Sequence, residues 1–311
     1  MAATASASNE NIVTAVFSGT YNGYQRPRAA DGTFQPEYYA LANGEYLPGV
    51  SADASIDNVK FPQIAGLTAQ FLALRNYHLA PDAKQARFLL VITWGKTIPL
   101  SDSVYGPNLD STAASFNLLN SLQKSIGMSV AQTRGADGIV SRDGAILQAA
   151  RDDFESQIVQ LNMFNEMRRK TDEYNAQVLG YVDEINRREG PARFAGGGTA
   201  FDDLIDDIEN ERYLFVISAY DFPTAVKTGE RKLLWATRVS VQAQGNRFNE
   251  TAAYMLAKAS KYFGQDSGRL IRQFDREGNV TLGELKVVGV VPESKVHDQP
   301  PTETGSRALR P

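Results

Sequence analysis

The chain has 311 residues, 42% of them hydrophobic and 22% charged, with a formal net charge of −4. This is the composition of a globular protein, and its mild acidity speaks against nucleic acid or an anionic membrane surface as the main partner, since either needs a basic face. The absence of cysteine excludes disulfides, thiolate nucleophiles, zinc–thiolate sites and iron–sulfur clusters.

Residues 1–10 are small and polar, and a flexible stub is expected there. The stub lacks the charged and apolar regions of a signal peptide. Its Ala- and Ser-rich composition is nevertheless that of a mature start just past a cleavage site, so export is expected. The alternative is the native start of a cytoplasmic protein. Residues 11–21 alternate as a strand. In residues 38–47 aromatics flank Asn43-Gly44, a pair that accepts positive φ, which predicts a short hairpin or an irregular strand. Residues 61–77 predict a helix, with Pro62 in its first turn and Ile64, Leu67, Phe71 and Leu74 on one stripe. Residues 87–94 are apolar on both faces and predict a central strand covered on both sides.

Two helices are predicted next, at 111–126 and 145–188. In the second, Phe154, Ile158, Leu161 and Phe164 mark one apolar face, and Tyr174, Val178, Tyr181 and Ile185 mark another. The phase slips near Arg168, which predicts one bent helix or two joined near Thr171-Asp172. Glycines at 190 and 196–198 break the chain before a helix at 199–208. Residues 211–222 and 232–242 predict two strands, close enough in sequence to be antiparallel neighbours. A helix at 248–263 and a strand at 280–291 complete the pattern, and the Pro-rich remainder, 292–311, is expected to be disordered. No run approaches the ~18 apolar residues of a membrane span.

Two histidines are present. His297 falls in the expected tail and His78 at an expected helix end, so a catalytic triad would have to pass through His78 without a nucleophile-elbow pattern. The sharpest motif is Asp202, Asp203, Asp206 and Asp207. Carboxylates at this spacing share adjacent helical turns and are the oxygen ligands that magnesium prefers. The competing reading is structural and is favoured: acids near a helix N-terminus complement its dipole while the apolar residues between them face the core. The cluster is superficially similar to the Asp-rich motif of prenyl-diphosphate synthases, an all-helical family that the strands here contradict. Glycines 196–198 lack the phosphate-loop pattern, and no cofactor is expected. Tyr38, Tyr39 and Tyr46 are candidate binding aromatics, with ordinary packing as the favoured alternative.

Four segments, 87–97 (RFLLVITWGKT), 212–222 (RYLFVISAYDF), 232–241 (KLLWATRVSV) and 261–268 (KYFGQDSG), together resemble uncharacterised bacterial proteins that usually carry an export or lipoprotein signal. The unit from Phe61 to Trp94 is also similar to a domain of unknown function of envelope lipoproteins. The resemblance covers about half the chain, in pieces, and contains no catalytic motif. It implies an envelope location, although the lipobox cysteine of such proteins is absent.

These readings predict an α/β fold with a mixed β-sheet flanked by helices. A single domain at 11–291 would carry a helical insertion at 108–190. The leading functional expectation is a non-enzymatic binding or structural-interaction protein of the bacterial envelope, periplasmic or outer-membrane associated, with an unknown protein or small molecule as partner. One alternative is a metal-assisted hydrolase using the aspartate cluster. Another is a homo-oligomer assembling through the 145–188 helix, which would expose Phe154, Ile158 and Leu161 in the monomer.

Overall fold

The computed structural model describes residues 12–100, 102–132, 137–188 and 198–275. Its centre is β4 (Phe88–Lys96), where Phe88, Leu90, Ile92 and Trp94 alternate into the core and are almost wholly buried. One neighbour is β2 (Glu37–Leu47), parallel to it, and the other is β5 (Arg212–Asp221), antiparallel. Beyond β2 lies the short parallel edge strand β3 (Tyr77–Leu79). Beyond β5 come β6 (Leu233–Gln242), β1 (Ile12–Thr20) and β7 (Ile271–Asp275), all antiparallel. The result is a seven-stranded mixed sheet in the order β3-β2-β4-β5-β6-β1-β7.

Helices cover both faces. On one, α1 (Ala54–Asp57), α2 (Phe61–Ala73) and α8 (Phe248–Ser260) pack on an aromatic core. Trp235 sits at its middle, with Tyr77 at 5.6 Å and Phe263 at 5.9 Å between ring centroids. On the other, Leu204 and Ile208 of α6 (Gly198–Glu209) and the end of α4 (Asp137–Leu179) pack on Ala15 and Leu214. Burying each such large side chain contributes ~1.5–3 kcal/mol. This second cover is partial at β4, where Leu89, Val91 and Thr93 stay half-buried, so the two faces of that strand are not equally dry as expected.

Several expectations are corrected. Asn43-Gly44 forms no hairpin; β2 runs through it with a register shift between Asn43 and Tyr46. A Cβ on Gly44 would lie 2.7 Å from the Ile92 carbonyl oxygen, so the glycine serves close strand approach rather than a turn. The helix expected to reach residue 77 ends at Ala73, because Asn76 takes a left-handed φ of 58° and starts β3. His78 therefore lies on an edge strand opposite Tyr38, not at a helix end.

The helical segment is longer than its periodicity suggests. Helix α3 (Asp102–Gln132) runs 31 residues and α4 runs 43. They pack antiparallel, with Phe116 and Phe154 rings 5.5 Å apart and Ser115 donating to Asp153 at 2.6 Å. Helix α4 passes unbroken through Thr171-Asp172 and stops at Gly180, ahead of α5 (Val182–Arg188). Gly180 has φ +80°, and a Cβ there would meet the Phe17 ring at 2.8 Å. The phase slip at Arg168 instead marks where that side chain turns to Glu209 of α6.

Helix α7 (Phe222–Thr228) went unforeseen, and the strand predicted to reach Phe222 ends one residue earlier, where Asp221 caps that helix by accepting from Thr224 N at 2.9 Å. Strand β7 was likewise unforeseen. The expected stub at 1–10, the strand at 280–291, the tail at 292–311 and His297 lie outside the described residues. Among those described, no helix is long and apolar enough to cross a membrane.

Two contacts fasten α4 to the sheet layer. Asn175, fully buried, donates to the carbonyls of Ile98 (2.7 Å) and Ile208 (2.8 Å) and accepts from Ile98 N (3.2 Å). Arg168 bridges Glu209 and, at 3.9 Å, Asp172. Burial, reinforced by the charge of Glu209, pushes the Asp172 carboxyl up to about 6. The native state thus holds this proton more tightly than the unfolded chain, whose Asp titrates at about 4. Ionisation of Asp172 opposes folding, fully so above pH 6, and the opposition disappears as pH falls from about 6 to about 4. Asp172→Asn should therefore stabilise the protein by about 1–2 kcal/mol at pH 8. Paired urea titrations should show the gain vanishing toward pH 4.

Candidate functional site

Open α/β sheets place ligands at the carboxyl ends of their parallel strands, and here those are the ends of β2 and β4. After β2 the chain turns at Gly49, with φ +68°, and passes so close to β4 that a Cβ at that position would lie 3.0 Å from Lys96 Cβ. Gly95 is tighter still: a Cβ there would stand 2.1 Å from the Leu47 carbonyl oxygen. These two glycines press the loop after β2 onto the last residue of β4.

That residue, Lys96, has a side chain with 0% exposure. Its ammonium donates to the Ser51 carbonyl and, at 3.2 Å, to Ser51 Oγ, and it lies 3.6 Å from Glu211. Ser51 Oγ donates onward to Glu211 Oε1 at 2.6 Å. Beside this trio, Asp53 caps α1 by accepting from Ser55 N at 2.9 Å, and its other oxygen accepts the Tyr213 hydroxyl. Tyr213 also reaches the Asn246 carbonyl at 3.2 Å. Burial, then the bond to Asp53, pushes the Tyr213 phenol up to about 12, so it stays a donor at neutral pH. Burial works against the Asp53 charge, but the bonds from Tyr213 and Ser55 hold its pKa below the usual carboxylate value.

Ser51, Asp53, Glu211 and Tyr213, with Lys96 behind them, wall a notch of about 320 Å³, completed by Asn210, Gln244 and Asn246. The loop after β2, the entry to β5 and the exit of β6 each contribute one side. The volume suits a small molecule.

The aspartate motif is elsewhere and is split. Asp202, Asp203 and Asp206 are exposed on α6, while Asp207 turns inward. Asp207 accepts from Arg212 at 2.8 Å and Tyr181 at 2.9 Å and lies 2.9 Å from Arg272. Arg212 in turn donates to Ser240 Oγ at 3.0 Å and Val13 O at 3.1 Å. Asp207 thus joins α6, directly or through Arg212, to β5, β6, β1 and β7. Among the described residues, no three His, Asp or Glu side chains gather where they would hold a metal ion.

The tyrosines do not share a surface. Tyr38 is 40% exposed, beside the His78 ring at 6.1 Å. Tyr39 is 1% exposed on the opposite face of β2, and burial pushes its phenol up to about 12. Tyr46, at the far end of the strand, packs on Trp94 at 5.8 Å and donates to Asp57. The notch residues Ser51, Asp53, Glu211 and Tyr213, and Lys96 behind them, went unsuggested by the sequence. The one local signal was a lysine closing an apolar strand, Trp94-Gly95-Lys96.

Breaking a buried ion pair from one side costs ~3–5 kcal/mol, because the surviving charge is left without its partner. Lys96→Met should therefore lower stability by about 3 kcal/mol in urea unfolding, since Glu211 keeps some solvent contact. The double variant Lys96→Met/Glu211→Gln should recover part of that loss, and strict additivity would show that the pair does not interact. Comparison with protein-family models and with curated proteins finds no match for this chain.

Proposed function

We propose that this chain is a non-enzymatic binding protein that takes a small polar molecule in the notch between the loop after β2, the entry to β5 and the exit of β6. The observation that carries the reading is the concave convergence of seven polar side chains from three segments, beside a backbone held by Gly49 and Gly95. Ser51 fits binding better than nucleophilic chemistry. Its proton is committed to Glu211, and the Lys96 ammonium already donates to Ser51. The envelope setting belongs to the same proposal and is supported by the family resemblance.

A thermal-shift screen tests it, because a ligand that binds only the folded state raises the melting midpoint. Small polar molecules should shift the unmodified protein. Ala52→Trp, which fills the notch from its exposed rim, should erase the shift with its own midpoint unchanged. A ligand equally effective on both proteins would place binding elsewhere.

A second reading is favoured by α4. Phe154, Ile158 and Leu161 are half-buried, but a neighbouring row is bare: Val159 at 59%, Met163 and Met167 each at 62% exposure. Self-association through this row would cover it. Sedimentation at micromolar concentration should then give a dimer or larger mass that Met163→Glu reduces to the monomer; a monomeric unmodified protein would end this reading.

A further inference from the structure

The notch has a hydrogen-bonding polarity that names a ligand class, given the binding role proposed above. Most of its side-chain donors are spent inward, the Gln244 amide and the second N–H of each asparagine amide being the exceptions. Ser51 donates to Glu211 at 2.6 Å and Tyr213 to Asp53. The amide nitrogens of Asn210 and Asn246 donate to the backbone oxygens of Asp206 (2.7 Å) and Gln242 (2.9 Å). The nearest cation, Lys96, is sealed behind the wall.

These bonds also leave acceptors on the lining residues. They are the side-chain oxygens of Asn210 and Asn246 and the second carboxylate oxygen of Glu211, whose first oxygen takes Ser51 and faces Lys96. Of the residues lining the notch, the two that carry charge are Asp53 and Glu211, both negative. A wall of acceptors with negative charge matches a group that has donors, no acceptor and a positive charge. An alkylammonium is that group, with three N–H donors on one atom, and charge-assisted bonds to carboxylate are about twice as strong as neutral ones. A neutral sugar hydroxyl brings no charge to the two carboxylates, and a carboxylate ligand would meet repulsion. We infer that the notch recognises its ligand through a primary ammonium group.

The test uses the full chain and titration calorimetry with putrescine and L-lysine as probes. Controls are 1,4-butanediol, which has the putrescine skeleton without charge, together with glutarate, glucose and magnesium. At least one amine should bind saturably while butanediol does not. Glu211→Gln should weaken that binding ten-fold or more with an unchanged circular dichroism spectrum. Glu211→Asp, which keeps the charge, should retain more affinity than Gln and serves if the Gln variant does not fold. Silence of both amines, equal binding of butanediol, or full affinity in Glu211→Gln overturns the inference. Ala52→Trp separates the two levels. A sugar, acid or metal ion that binds instead and is blocked by Ala52→Trp keeps the notch and removes the ammonium. Amine binding that survives Ala52→Trp removes the notch itself.

Discussion

A cation sealed in a protein interior must be paired there, because its lost hydration costs several kcal/mol that only a close anion and hydrogen bonds can offset. Three such cations organise this molecule. Arg212, 1% exposed, meets Asp207 and ties α6 to the sheet. Lys96 meets Glu211 and closes the end of β4. Arg26 lies 3.7 Å from Glu37, its guanidinium held between the Phe34 and Tyr77 rings at 4.1 Å from each centroid. Burial raises the Glu37 pKa even with the charges of Arg87 and Arg26 close by, a measure of how dry that corner is.

Glu211 and Arg212 are consecutive, and strand geometry sends consecutive side chains to opposite faces. Glu211 serves the face carrying α1 and α8, and Arg212 the face carrying α6. The entry of β5 therefore couples both helical layers within two residues. The notch forms at this joint because three segments have to converge on it to satisfy Lys96. The notch wall is the outer side of a structural ion pair, which explains why the Ser51 hydroxyl donates inward to Glu211.

The helical pair α3–α4 is fastened at its base by different means. Asn175 replaces a sheet-type bond to Ile98, and Arg168 holds Glu209 beside Asp172. Between residues 145 and 174, Ala150 is the fully buried position of α4. Two helices alone expose most of each surface, so the rows seen on α4 arise from its geometry before any partner is invoked.

The sequence by itself determined the local periods. Alternation marked β1 and β6, the apolar run marked β4, and the stripe through Ile64 and Phe71 marked α2, because side chains repeat on one face every two residues in a strand and every 3.6 in a helix. The mixed sheet and its long helical segment are consequences of that pattern. Tertiary structure decided what a period cannot carry. Asn43-Gly44 reads as a turn but packs flat, because Ile92 lies against it. The break after α4 falls at Gly180 rather than at the phase slip, because Phe17 and Arg238 leave no room for a Cβ. The aspartate motif read as one cluster, and folding sent Asp207 to Arg212 and the others to solvent. The notch joins Ser51, Lys96 and Glu211, separated by 45 and 115 positions. Such proximity is set by strand order and by the need to pair one buried ammonium, and neither leaves a mark on neighbouring residues.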